Sequence, residues 1–309
     1  MRVFITGAVG FVGAWLSREL TACGHQVVPA PGPETMDICD QGALVRWLDH
    51  PDGPPDAVVH LAGMAFAPDA RSDPAEGFRV NVGGTVALFE SLRTLGSRPP
   101  VLVSGSADVY GQPGRPGPID EDSPLNPRHP YALSKLGQEA VAFEEGVRYG
   151  FPVVVARSFN HTGPGQRPVF VVPAMAQRVL AVRAGQTSSI PAGNVDVRRD
   201  LTDVRDVVRA YRLLLELALS GGSSTPLAVN VASGVTFSIR SIVEMLCRLA
   251  EVQAPIRVDQ ALVRPNDPPE LCGDRSLVGR MTGWQPQIPI ETTLRDMLIA
   301  YGLESGPAA

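Results

Sequence analysis

Apolar and polar positions change period in a regular order along the chain. Arg2–Ile5 is a short apolar run, and after a cluster of glycines the segment Phe11–Cys23 carries apolar residues at helical spacing. Gln26–Pro29 repeats the strand pattern, a Pro/Gly-rich turn follows at 30–34, and Gln41–Leu48 is again helical. Ala57-Val-Val-His60 and Val101-Leu-Val-Ser104 are apolar runs of the kind buried on both faces of a parallel sheet, and between them Asp73–Leu95 reads as one long helix. A helix carrying Tyr131 leads to a fifth strand at Pro152–Arg157. Helices at Val171–Gly185 and Asp203–Leu219, a strand ending in Asn230-Val-Ala-Ser233, a helix capped by Ser238 and a final helix at Ile290–Tyr301 complete the series. Strands that alternate with helices predict an α/β fold with a doubly wound parallel sheet.

Composition narrows the class. An apolar fraction of 44% over 309 residues is ample for a large core, and a net charge of −5 supplies no basic field for nucleic acid. No apolar run approaches the ~20 residues of a membrane-spanning helix. Cys23, Cys39, Cys247 and Cys272 are scattered without a C-x-x-C pair, so neither a disulfide framework nor a metal site is expected. The first residues form a strand with no signal-peptide pattern, which points to a cytoplasmic protein. The polar stretch 304–309 reads as a frayed tail.

The first glycine cluster, Gly7-Ala-Val-Gly10-Phe-Val-Gly13, lies between a strand and a helix. There Gly7 permits a tight turn, Gly10 lets a pyrophosphate approach the helix N-terminus, and Gly13 allows close helix–strand packing. The expected fold is therefore of Rossmann type, with residues 1–160 mainly dinucleotide-binding. Residues 161–309 then form mainly a smaller C-terminal substrate-binding lobe, interleaved with the sheet. The end of the second strand normally selects between the two nicotinamide dinucleotides, and here Ala30, Pro31 and Gly32 leave that choice open. Glu34 and Asp37 are the nearest acids, and no basic side chain is close in sequence. Asp37 serves either the adenine edge, beside Ile38, or the cap of the helix that follows.

Tyr131-Ala-Leu-Ser-Lys135 places a phenol and an ammonium four residues apart, on one face of a helix. The fixed positive charge is expected to lower the phenol's pKa towards the working pH, making it a poised proton donor. The fourth strand ends in Ser104-Gly-Ser-Ala-Asp-Val-Tyr-Gly111, at the edge where open α/β sheets place ligands. Ser106 is the candidate for a second hydrogen bond to the reacting oxygen, and Asp108 a candidate acid or base. Turn chemistry is the alternative for both.

These segments, with His60-Leu-Ala-Gly63 and Arg157–Gln166, together resemble the extended short-chain dehydrogenase/reductase superfamily and its nucleotide-sugar-modifying members. Gly193–Asp206 and Arg264–Asp274 resemble the GDP-mannose branch. The resemblance spans nearly the whole chain. It implies an NAD(P)-dependent oxidoreductase, with NADP(H) placed ahead of NAD(H) and a GDP-sugar as the preferred nucleotide-diphosphate sugar. A homodimer or homotetramer is also implied. Dehydratases of the branch carry Thr-Ser-Glu where Ser106-Ala-Asp108 stands, and a different stretch in place of Thr162-Gly-Pro-Gly-Gln166. The resemblance thus favours reduction of a C4 keto group in a GDP-4-keto-6-deoxy-hexose over 4,6-dehydration or epimerisation. A catalytically silent dinucleotide sensor is the alternative of another class.

Carried over residue by residue, the resemblance assigns catalysis to Ser106, Tyr131 and Lys135, with Asp108 beside them. It assigns the cofactor to Gly7, Gly10, Phe11, Val12, Gly13, Asp37, Ile38, Leu61, Ala62, Gly63, Ser104, Tyr131, Lys135 and His161. Asn160, Arg178, Arg199, Arg264, Asp267 and Glu270 fall to the nucleotide sugar, the arginines because a planar guanidinium pairs bidentately with phosphate.

Overall fold

The strand–helix alternation read from the sequence is the observed one. The computed structural model describes residues 1–50, 53–112, 117–222, 226–263 and 267–303, so Arg264 and the 304–309 tail lie outside the described residues. The first half runs β1 (Arg2–Thr6), α1 (Phe11–Ala22), β2 (Gln26–Pro29), α2 (Gln41–Leu48), β3 (Ala57–His60), α3 (Ala67–Ser72), α4 (Pro74–Phe78), α5 (Gly84–Thr94), β4 (Val101–Ser104), α6 (Pro130–Tyr149) and β5 (Val153–Ser158). The second half adds β6 (His161–Thr162), α7 (Val171–Arg183), β7 (Ile190–Ala192), β8 (Arg198–Asp200), β9 (Thr202–Asp203), α8 (Val204–Leu219), β10 (Leu227–Val231), β11 (Thr236–Ser238), α9 (Ile239–Leu249), β12 (Ile256–Val258), β13 (Glu270–Leu271), α10 (Ser276–Thr282) and α11 (Ile290–Ala300).

Six strands form the main sheet in the order β10-β5-β4-β3-β1-β2, all parallel. The chain moves outward from β1 to β2 and then returns to the other side of β1 as β3. The order therefore reverses between β1 and β3, and a crevice opens there beyond the strands' carboxyl ends. β1, β3 and β5 are buried along their whole length, which explains why they read as unbroken apolar runs. Val59 joins the core layer under α1 and α8, and its neighbour Val58 the opposite layer under α2 and α5. A third apolar cluster unites α7, α9 and α11 in the C-terminal part. As read from the sequence, Ser238 caps α9 by accepting from the Ser241 amide at 3.0 Å.

The long helix expected over Asp73–Leu95 is instead α4, a π-helical segment at Arg79–Gly83, and α5. Asn81 accounts for the widened turn. Its buried side chain accepts from the Met64 amide at 2.7 Å and donates to Ser134 Oγ at 2.8 Å, pinning the segment between the β3 exit and α6. Single π turns of this kind recur at functional sites. The strand ending expected at Asn230–Ser233 lies slightly too far along, since β10 closes at Val231.

Candidate active site

The glycine turn fills the crevice at the point where strand order reverses. Gly7 has φ +72°, and a Cβ there would lie 2.8 Å from the Ala62 amide nitrogen. A Cβ on Gly13 would stand 2.2 Å from the Gly7 carbonyl oxygen, so the helix starts too close to its own turn for any other residue. Gly10 is the extended residue before α1 and gives the helix no side-chain cap. The uncapped first turn of a 12-residue helix suits a pyrophosphate. Leu61 and Ala62 lie against Gly7 from the end of β3, and Gly63 lies against the Asn81 side chain. Phe11 lies parallel to the His161 ring, with centroids 6.3 Å apart, while Val12 packs against the core. The residues present therefore fit a dinucleotide.

Asp37 does not cap α2. Asp40 does, accepting from the Ala43 amide at 2.9 Å. The Asp37 carboxylate accepts instead from the Cys39 amide at 3.0 Å and pairs with Arg79 at 2.7 Å. These bonds hold its pKa below the usual carboxylate range. The sequence offered no basic group near Asp37, but folding brings one from the π segment, 42 residues away. Ile38 is buried against Gly84.

Ser106 lies near enough to Tyr131 to favour its ionised form and draw its pKa down, so the two candidates share one neighbourhood. Ser106 also accepts from the Asp108 amide at 3.2 Å, so the turn role and the site role coexist. Ser104 stands two residues earlier, at the end of β4. His129, unremarked in the sequence, lies flat beside Tyr131 with ring centroids 6.1 Å apart, and its Nε2 is 3.5 Å from the Asp108 carboxylate. Its Nδ1 accepts from the Ala132 amide at 3.3 Å, capping α6. The sequence signal was available: a polar residue directly before Pro130, which is tolerated in a helix's first turn.

The expected fall in the Tyr131 pKa is reversed. Burial pushes the phenol above its ordinary value, the Asp108 carboxylate pushes it further, and Ser106 only partly offsets them. Lys135 does not compensate, because its ammonium points to Gln138 Oε1 at 2.6 Å. Helical spacing put the two side chains on one face without putting the charge on the phenol. Burial also lowers Lys135 itself, to about 8. Behind α6, Arg157 on β5 forms a buried pair with Glu139 and donates to Tyr110 Oη at 2.8 Å. That pair locks the tyrosine helix to the turn that carries Ser106.

Of the residues expected at the nucleotide sugar, Arg199 and Asp267 come together as an ion pair of 2.6 Å, with Arg199 also donating to the Pro268 carbonyl at 2.9 Å. Glu270 pairs with Arg198 at 3.2 Å and accepts from Thr236. Asn160 is exposed just after β5, and its carbonyl accepts from the Thr202 amide at 3.0 Å. Arg178 donates to the Pro191 carbonyl at 2.6 Å and lines a cavity of about 860 Å³ with Gln177, Arg183 and Tyr301. None of the glycine-turn or tyrosine-helix residues lines that cavity. Among the described residues there is no cluster of His, Cys, Asp and Glu fit for a metal ion, and no helix long and apolar enough to cross a membrane.

Comparison with known proteins matches residues 34–297 to the GDP-mannose 4,6 dehydratase family. The chain is 37% identical over 300 residues to GDP-6-deoxy-D-mannose reductase from Pseudomonas aeruginosa, covering 96% of each. It superposes on the structure of RMD from Pseudomonas aeruginosa complexed with NADPH with a TM-score of 0.87 and 36% identity, covering 97% of this chain and 98% of that one. UDP-glucose 4-epimerase from Brucella ovis in complex with NAD gives a TM-score of 0.86 at 29% identity, covering 98% and 99%.

Proposed function

Because the chain belongs to the GDP-mannose 4,6 dehydratase family, we propose that it is an NAD(P)H-dependent reductase of the C4 keto group of GDP-4-keto-6-deoxy-D-mannose. The observation that carries this reading is the approach of Ser106 to the buried Tyr131 phenol, beyond the end of β4 and on the helix that also carries the buried Lys135. Gly7, Gly10 and Gly13 would hold the dinucleotide's pyrophosphate against α1, and Leu61–Gly63 would wall its other side. The dinucleotide supplies the hydride. The protein's task is the proton and the alignment. A phenol held above its ordinary pKa keeps its proton until an alkoxide develops next to it, which is the behaviour reduction requires. Ser106 hydrogen-bonds the same oxygen and orients it. Arg199 and Asp267 would address the GDP moiety, with Arg264 and Asn160 assigned there by resemblance.

NADP(H) is favoured over NAD(H). RMD from Pseudomonas aeruginosa, at 36% identity, is complexed with NADPH, and Arg79 supplies a cation beside Asp37. A second reading, 4,6-dehydration, is supported by the Asp108 carboxylate, which lies close enough to Tyr131 to raise its pKa. One assay separates the two. Consumption of NADPH with GDP-4-keto-6-deoxy-D-mannose supports the reductase, whereas a 4-keto product from GDP-mannose with catalytic NADP supports the dehydratase. Tight dinucleotide binding with no turnover of any keto-sugar would instead indicate a sensor.

A further inference from the structure

Lys135 is the only lysine in the chain, and it is 6% exposed. Its partner Gln138 belongs to a buried network whose proton directions can be assigned. The Thr85 hydroxyl gives its one proton to the Asn81 carbonyl at 2.7 Å. Its lone pairs must then accept from both Gln138 Nε2 and His60 Nε2, each at 3.0 Å. His60 is therefore the neutral Nε2–H tautomer. Its Nδ1 accepts from Thr6 Oγ1 at 2.7 Å, and Thr6 accepts in turn from the Ala62 amide at 3.2 Å. The Gln138 amide has one orientation in this arrangement: its NH2 faces Thr85 and its carbonyl faces Lys135. A flip would set donors against an ammonium on one side and leave the Thr85 lone pair facing an oxygen on the other.

We infer that Gln138 is a positioning residue for Lys135: its carbonyl, held from below by Thr85 and His60, anchors the ammonium in the cleft and favours its charged form. This rests on the reductive reading of the site, where a cationic lysine on the tyrosine helix is needed. Charged and titratable groups on α6 and on the elements packed against it are engaged elsewhere or face solvent. Glu139 faces Arg157 of β5, Glu145 faces Arg93 of α5, and Arg79 faces Asp37 and Glu76. Asp108 lies by His129, and Asp69 and Arg71 of α3 are exposed. Tyr131, one turn earlier on α6, and the neutral His60 of β3 are the titratable groups left on the lysine's side. Burial alone drives a buried ammonium towards the neutral amine, and an acceptor hydrogen-bonded to it opposes that drift.

The test uses the full-length protein grown with lysine labelled at Cε with carbon-13. One lysine gives one side-chain signal, so its titration reports Lys135 without any turnover. Gln138→Leu removes the acceptor and should move the midpoint down. Gln138→Glu, nearly isosteric, places a carboxylate under the ammonium and should move it up by about one pH unit or more. The basic limb of kcat for keto-sugar reduction should move with the midpoint in each variant, while KM for the dinucleotide changes less. Equal midpoints in wild type and both variants, or a shift in the same direction in both, would overturn the inference. If Gln138→Leu does not fold, the direction of the Gln138→Glu shift decides alone. Failure of the wild type to reduce any keto-sugar would defeat the reductive reading and leave the lysine titration to decide the role of Gln138 in holding Lys135.

Discussion

The His129 ring lies nearly parallel to Tyr131, with centroids 6.1 Å apart and an interplanar angle of 7°, and the same histidine reaches the Asp108 carboxylate at 3.5 Å. Tyr131, the proposed proton donor, is thus flanked by an imidazole on one side and by the field of a carboxylate on the other. Asp108 raises the Tyr131 pKa through its charge alone. Asp108→Asn keeps the shape and removes the charge. A reductase needs the phenol's proton and not this carboxylate, so kcat for keto-sugar reduction should stay within about tenfold of wild type. A dehydratase using Asp108 as its base should lose about 10²–10⁴-fold. Parallel kcat measurements on GDP-4-keto-6-deoxy-D-mannose and GDP-mannose give the answer, and a large loss of reduction would remove Asp108 from a purely electrostatic role.

Tyr131→Phe deletes the phenolic hydroxyl and little else. Reduction should fall by about 10²–10⁴-fold, the usual contribution of a positioned general acid. The Kd for NADPH should change little, because the glycine turn that would hold the dinucleotide belongs to α1 and not to α6. Stopped-flow turnover combined with dinucleotide titration measures both quantities. Near wild-type turnover would reassign the proton donor.

Gly13→Ala places a methyl group 2.2 Å from the Gly7 carbonyl oxygen, where only backbone lies in the way. The turn has to deform, at a cost of about 1–3 kcal/mol for an overpacked site. Dinucleotide affinity should weaken by tenfold or more. Gly10→Ala meets its nearest neighbour at 3.2 Å and should disturb the unliganded fold less. Comparing the urea midpoints of the two variants with their NADPH affinities distinguishes a damaged fold from a blocked phosphate site.

Local signals made the scaffold legible. The apolar runs of β1, β3 and β5 are buried on both faces, and the spacing of Gly7, Gly10 and Gly13 reflects contacts within one turn, so each could be read from a few adjacent residues. Tyr131, Lys135 and Ser106 are legible as candidates from their positions within their segments. What escaped were relations between distant segments. Arg79 reaches Asp37 across 42 residues of sequence. Asn81 widens a helix because of Met64 and Ser134, neither of which lies near it in the chain. The direction of the Tyr131 pKa shift is not legible in the sequence, because an i, i+4 spacing fixes which face two side chains share and not where their ends point. Gln138, three residues beyond Lys135, redirects the ammonium.

His60 offers a test of the buried network by acid. Burial lowers its pKa from 6.5 in the open chain to about 3, with the Lys135 charge adding to the effect. Below about pH 6.5 the unfolded chain binds a proton that the folded protein refuses. The stability linked to His60 is therefore fully present above that pH and drains away as the pH falls towards 3. At about pH 5 the loss from this one group should be about 2 kcal/mol. His161, lowered by burial in the same direction, adds to the wild-type slope but is unchanged in a His60 variant. His60→Asn should be less stable than wild type at about pH 7.5, since a shorter side chain spans Thr6 and Thr85 poorly. Between about pH 7.5 and 5, however, its urea-unfolding free energy should decline less steeply than that of wild type. Equal declines in the two proteins would mean that His60 takes up a proton in the folded state as readily as in the unfolded chain, and the depression of its pKa by burial would then be wrong.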